Sequence, residues 1–91
     1  MTREPEDELI ERIEGQLDAG QAASALDLSS YAVRRYPVEP DLWALYAEAL
    51  ESVGRVPEAT KAYTQAVALS PEWTAGVARR GSLYIEQGLI D

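Results

Sequence analysis

With 91 residues the chain has room for one small domain with a thin core, because a chain of this size hides only roughly 60–65% of the surface it exposes when unfolded. Sixteen acidic residues against eight basic ones give a formal charge of −8, which opposes binding to nucleic acid and favours a basic or amphipathic partner. Cysteine and histidine are both absent, so disulfides, thiolate or imidazole metal sites, and triads built on either residue are excluded.

No apolar run approaches the roughly 20 residues of a membrane span. The opening Met1-Thr2-Arg3-Glu4-Pro5-Glu6-Asp7-Glu8 is the reverse of a signal peptide. The expectation is a cytoplasmic protein without a membrane partner.

The first predicted helix, about 6–19, carries Leu9, Ile13 and Leu17 at steps of four, which places them on one face. Gly20 stops it, since glycine takes the left-handed cap conformation without steric penalty. A second helix, about 22–36, presents Ala25, Leu28 and Ala32 and ends before Pro37. The third, about 41–53, has Trp43, Ala47 and Leu50 on its stripe and Gly54 as its stop. A fourth, about 57–69, opens on Pro57-Glu58, which suits the donor-rich, electropositive first turn. Its stripe is Ala59, Ala62, Tyr63, Ala66 and Val67, and Pro71 follows. The fifth is expected over about 74–87, closed by Gly88. No segment alternates long enough to read as a strand.

These elements repeat. Gly20, Ala25, Ala32, Val33 and Pro37 recur thirty-four residues later as Gly54, Ala59, Ala66, Val67 and Pro71, and Gly54 recurs as Gly88. The expected organisation is a single domain over 1–91 with units at about 6–39, 40–73 and 74–91. A helical hairpin cannot bury both faces of its stripe alone, so each must rest on the next. Trp43 is then expected against the preceding hairpin.

The chain resembles the tetratricopeptide repeat family over residues 6 to 88. With Pro40 opening the middle unit, Trp43 takes the tryptophan place, Ala47 the small crossing residue, Gly54 the turn, Ala59 and Ala66 the small positions, Tyr63 the aromatic and Pro71 the terminal proline. Tyr46 and Leu50 exchange the usual leucine and tyrosine places. Leu9 replaces the tryptophan in the first unit, where Arg12, Gln16 and Ser29 occupy normally apolar places and suggest a polar terminal cap. Val77 replaces it in the third, and Arg80 stands where leucine is common. The resemblance implies an all-α, right-handed solenoid of about five antiparallel helices, two and a half repeats.

It also implies a protein-binding scaffold without catalysis or cofactor, whose concave side is lined by the first helix of each unit. Carried over, the lining is Asp7, Ile10, Glu14 and Leu17 from the first unit, and Asp41, Ala44, Glu48 and Glu51 from the second. Ala75, Ala78, Arg79, Ser82 and Ile85 come from the third. This makes an acidic groove with an apolar floor, suited to a basic or amphipathic peptide. The clamp by which some family members hold a C-terminal carboxylate is not expected: its five places hold Ile10, Glu14, Leu45, Ala75 and Arg79, and only Arg79 agrees.

The carboxylate pairs Glu11/Glu14 and Glu48/Glu51, each three apart on one helix face, are the remaining candidates for acid chemistry or a cation. Charge-rich exposed faces produce such pairs routinely, and no phosphate loop or nucleophile elbow accompanies them. The alternative to peptide binding is a structural or self-associating segment of a longer repeat protein, docking through the unpaired third-unit helix.

Overall fold

The computed structural model describes residues 4–88, so the part of the third unit beyond Gly88 lies outside the described residues. Five helices follow one another: α1 (Glu4–Asp18), α2 (Ala22–Arg35), α3 (Pro40–Ser52), α4 (Val56–Leu69) and α5 (Thr74–Glu86). Each packs antiparallel on the one before it, and α1 also touches α3. The fold is all-α.

The thirty-four-residue stride extends to the backbone hydrogen bonds of the turns. Gly20 and Gly54 both have positive φ, 77° and 86°, which a Cβ would strain. At the first, Gly20 donates to the Leu17 carbonyl and Gln21 to that of Gln16; at the second, Gly54 donates to Glu51 and Arg55 to Leu50. These bonds satisfy carbonyls that a helix end would otherwise orphan. The other loops match as well, with Glu39 donating to the Tyr36 carbonyl and Trp73 to that of Ser70.

α3 is the element on which the others converge. It buries Leu42, Leu45, Ala47, Ala49 and Leu50, too many directions for one stripe. Leu42, Leu45 and Ala49 join Ile13, Ala25, Ala32 and Val33 in a cluster with α1 and α2. Ala47 and Leu50 face the other way, into a second cluster with Ala59, Ala62, Tyr63 and Leu83. Trp43 is half-buried and packs against both clusters, not the preceding hairpin alone. Its indole N–H donates to the Pro37 carbonyl at 2.8 Å, and its ring meets Tyr46 edge-on with centroids 6.0 Å apart.

Two local departures have physical reasons. Ser29 is fully buried and does not belong to a solvated cap; its hydroxyl donates to the Leu26 carbonyl at 3.2 Å, which satisfies it inside the core. In α5, Val77 stands at the tryptophan place but is 40% exposed. The volume comes instead from Trp73, whose indole lies against buried Gly76 and packs beside Tyr63, with centroids 6.2 Å apart. Gly76 is the counterpart of buried Leu42, so the third unit exchanges a leucine inside the helix for a tryptophan just before it.

A methyl group at Gly76 would overlap that indole. Alanine near the start of a helix gains under about 1 kcal/mol over glycine, whereas overpacking against a rigid ring costs about 1–3 kcal/mol. Gly76→Ala is therefore expected to lower the urea midpoint followed by tryptophan emission, and an unchanged midpoint would mean the indole leaves at no cost. At Gln16 the expected effect is opposite. Its Oε1 is buried with no hydrogen-bond partner among the described residues, so Gln16→Leu should raise stability by about 1 kcal/mol in the same melt.

Candidate acidic cleft and inter-repeat ion pair

Where α1 crosses α3, a cleft of about 360 Å³ is lined by Glu14, Leu17, Asp18, Leu45 and Glu48. Helical spacing sets its composition. Glu14 and Asp18 are one turn apart on α1 with Leu17 beside them, while Leu45 and Glu48 are three apart on α3. Leu45 is only 6% exposed and Leu17 half-buried, which gives an apolar floor beneath three carboxylates.

The carboxylates oppose one another. Glu48 is held above the ordinary carboxylate range, first by partial burial against the cleft wall and then by the negative charges of Glu14 and Asp18. It also keeps an exposed rim, so the burial is that of a group at a cleft mouth and not of a core residue. Tyr63 is pushed up to about 12, mainly by burial and further by Glu48.

Glu51 has a different role from Glu48. Its carboxylate pairs with Arg79 of α5, whose Nε donates to Oε1 at 3.2 Å, and it accepts the Tyr63 hydroxyl at 3.3 Å. This one acid ties α3, α4 and α5 together. The Glu48/Glu51 spacing therefore does not leave two free carboxylates, and among the described residues no group of acids converges as a metal ion would require.

The other residues expected in the groove are distributed more widely. Asp41 and Ala44 line a second cleft of about 260 Å³ with Pro40, Ser70, Glu72 and Trp73, between the start of α3 and the α4–α5 loop. Ile10 is half-buried and packs onto the α1–α3 core cluster. Asp7 is exposed on α1, and Ala75, Ala78, Ser82 and Ile85 are exposed on α5, outside both clefts. Asp18 lines the first cleft although the implied lining omits it; its place one turn after Glu14 was the available signal.

The raised Glu48 makes stability depend on pH with a definite sign. Between the ordinary glutamate range and the higher value in the fold, native protein keeps a proton that the unfolded chain has lost, so stability falls as pH rises through that window. Urea titrations across it should show this decline. Glu48→Gln should flatten it, and an equally steep decline in that variant would remove Glu48 as its source.

Among the described residues, no helix is long and apolar enough to cross a membrane. The sequence matches none of the curated proteins with which it was compared. Residues 40–83 match the family model described as tetratricopeptide repeat, spanning α3, α4 and most of α5. The match begins at Pro40, where α3 begins, and takes in Trp43, Gly54, Tyr63 and Pro71. Residues 40–83 are thus similar to a tetratricopeptide repeat, and they lie within five antiparallel helices whose turns recur every thirty-four residues.

Proposed function

We propose that the protein is a non-catalytic interaction module that holds a basic or amphipathic segment of another protein along the face built by α1, α3 and α5. Tetratricopeptide repeats are generally protein-binding scaffolds, and that part of the reading follows from the match over residues 40–83. The character of the ligand rests on one observation. Glu14, Asp18 and Glu48 ring an apolar floor, and the charges of Glu14 and Asp18 add to burial in raising the proton affinity of Glu48, so a lysine or arginine entering the cleft relieves repulsion while its methylenes cover Leu17 and Leu45. The acidic surface also steers such a segment toward the molecule before contact.

Asp7, Asp41 and Glu48 supply charge on this reading, and Ala44, Ala75, Ala78, Ser82 and Ile85 supply contact area. Glu51 and Arg79 hold neighbouring helices together and do not take the ligand's charge. A cytoplasmic setting is part of the same proposal. The self-associating alternative is favoured by Ile85, 65% exposed, and Val77, 40% exposed, on α5. Sedimentation decides it, since a monomer at high concentration removes that reading.

The direct test is calorimetry with a capped amphipathic helical peptide bearing lysines at i and i+4. Glu14→Lys with Glu48→Lys should weaken binding at least tenfold, about 1.4 kcal/mol by the usual conversion, and should reduce its salt dependence. Unchanged affinity would reject the acidic cleft as the seat. Glu51 is left intact because reversing it would break the pair with Arg79 and confuse binding with stability.

A further inference from the structure

On the side of the molecule away from α3, α4 and α5 enclose an open groove of about 390 Å³, lined by Pro57, Thr60, Lys61, Thr64, Tyr84 and Gln87. Internal repetition identifies what such a groove holds. Thirty-four residues earlier, Thr60 and Tyr84 correspond to Leu26 and Leu50, which belong to the groove between α2 and α3. That earlier groove is filled: Leu26 and Leu50 pack with Ala59 and Ala62 of α4. The chain thus displays the same seat twice, once with a helix in it.

The two seats differ in chemistry, and the difference indicates the occupant. Leucines make the filled seat a dry core, with Leu50 only 1% exposed. In the open one, Gln87 Nε2 donates to Thr60 Oγ1 at 2.7 Å and to the Leu83 carbonyl at 3.0 Å, and Thr64 donates to the Thr60 carbonyl. The hydroxyls of Thr60 and Thr64 and the Gln87 amide are thus hydrogen-bonded within the chain, so the surface tolerates water and suits a helix that comes and goes. Charge changes as well. Lys61 replaces Asp27, and Arg80 replaces Tyr46, a residue that borders Glu58, Lys61, Ala62 and Gln65 of the seated helix. Four of the eight basic residues lie in 51–91 against five of the sixteen acidic ones, so the molecule's negative charge is concentrated at the other end.

We propose that the α4–α5 groove is a second docking surface, which takes an amphipathic helix of another polypeptide with alanine-sized residues on its seated face and carboxylates at its border. Small residues are required because α4 seats itself through Ala59 and Ala62, both nearly or fully buried. Carboxylates are required because Lys61 lines the groove and Arg80 takes the repeat place of Tyr46, which borders the helix in the filled seat. This surface is independent of the acidic cleft between α1 and α3, and its ligand has the opposite charge.

The probe is a capped peptide with the sequence of residues 56–69, the segment that fills the equivalent seat, titrated into the isotope-labelled chain and followed by NMR. Amide shifts should concentrate at Thr60, Thr64, Tyr84 and Gln87. Arg80→Glu should weaken binding about tenfold, and the peptide carrying Glu58→Arg should recover most of that loss. Lys61→Glu, at an exposed position, tests the same charge requirement if Arg80→Glu fails to fold. No shifts at millimolar peptide, shifts centred on Glu14 and Glu48, or a concentration-dependent dimer that protects the groove residues would each overturn the proposal. None of these results depends on whether a lysine peptide binds the other cleft.

Discussion

The structure depends on α3 being apolar in two opposite directions at once. A helix with a single stripe ends an array, because its other side must face water. α3 sends Leu42, Leu45 and Ala49 toward α1 and α2, and Ala47 and Leu50 toward α4 and α5, so it serves as the shared wall of two thin cores. Neither hairpin has a core large enough to stand comfortably alone in a chain of this size. The placement of Glu48 and Glu51 follows from this wall. Glu48 stands on α3 where α1 crosses it, and Glu51 stands one turn later where α5 comes alongside.

Local rules were sufficient to read most of the architecture. Glycines that stop helices, prolines that start or follow them, and stripes at helical spacing act over a few residues, and the five helices lie within two residues of where those signals put them. The second apolar face of α3 was harder to read, since Leu42, Leu45 and Ala49 look like breaks in the Trp43–Ala47–Leu50 stripe until α1 and α2 are packed against them. Val77 was a different kind of difficulty. Alignment of repeats assigns it the tryptophan's place, whereas the indole actually used enters from Trp73, outside the helix, through the space left by Gly76.

The candidate site was legible in part for the same reasons. Glu14, Leu17 and Glu48 converge because their helical register forces them to, and register is written in the sequence. The partner of Glu51 is not so written: its pairing with Arg79 spans twenty-eight residues and depends on how α5 settles against α3. Once formed, it divides two neighbouring glutamates between separate tasks, one joining helices and one left among like charges. The uneven charge along the chain, by contrast, is legible in the sequence, where eleven of the sixteen acidic residues precede Glu51.

The indoles of Trp43 and Trp73 sit at different joints of that array. Trp43 touches both cores, while Trp73 packs on the second core alone, beside Tyr63 and the start of α5. Each form of the protein retaining one indole would thus emit from a known seam. Comparing their melting curves would reveal whether the stack opens as a unit or frays from the α5 side, giving the molecule an intrinsic optical gauge of how far cooperativity reaches along a short solenoid.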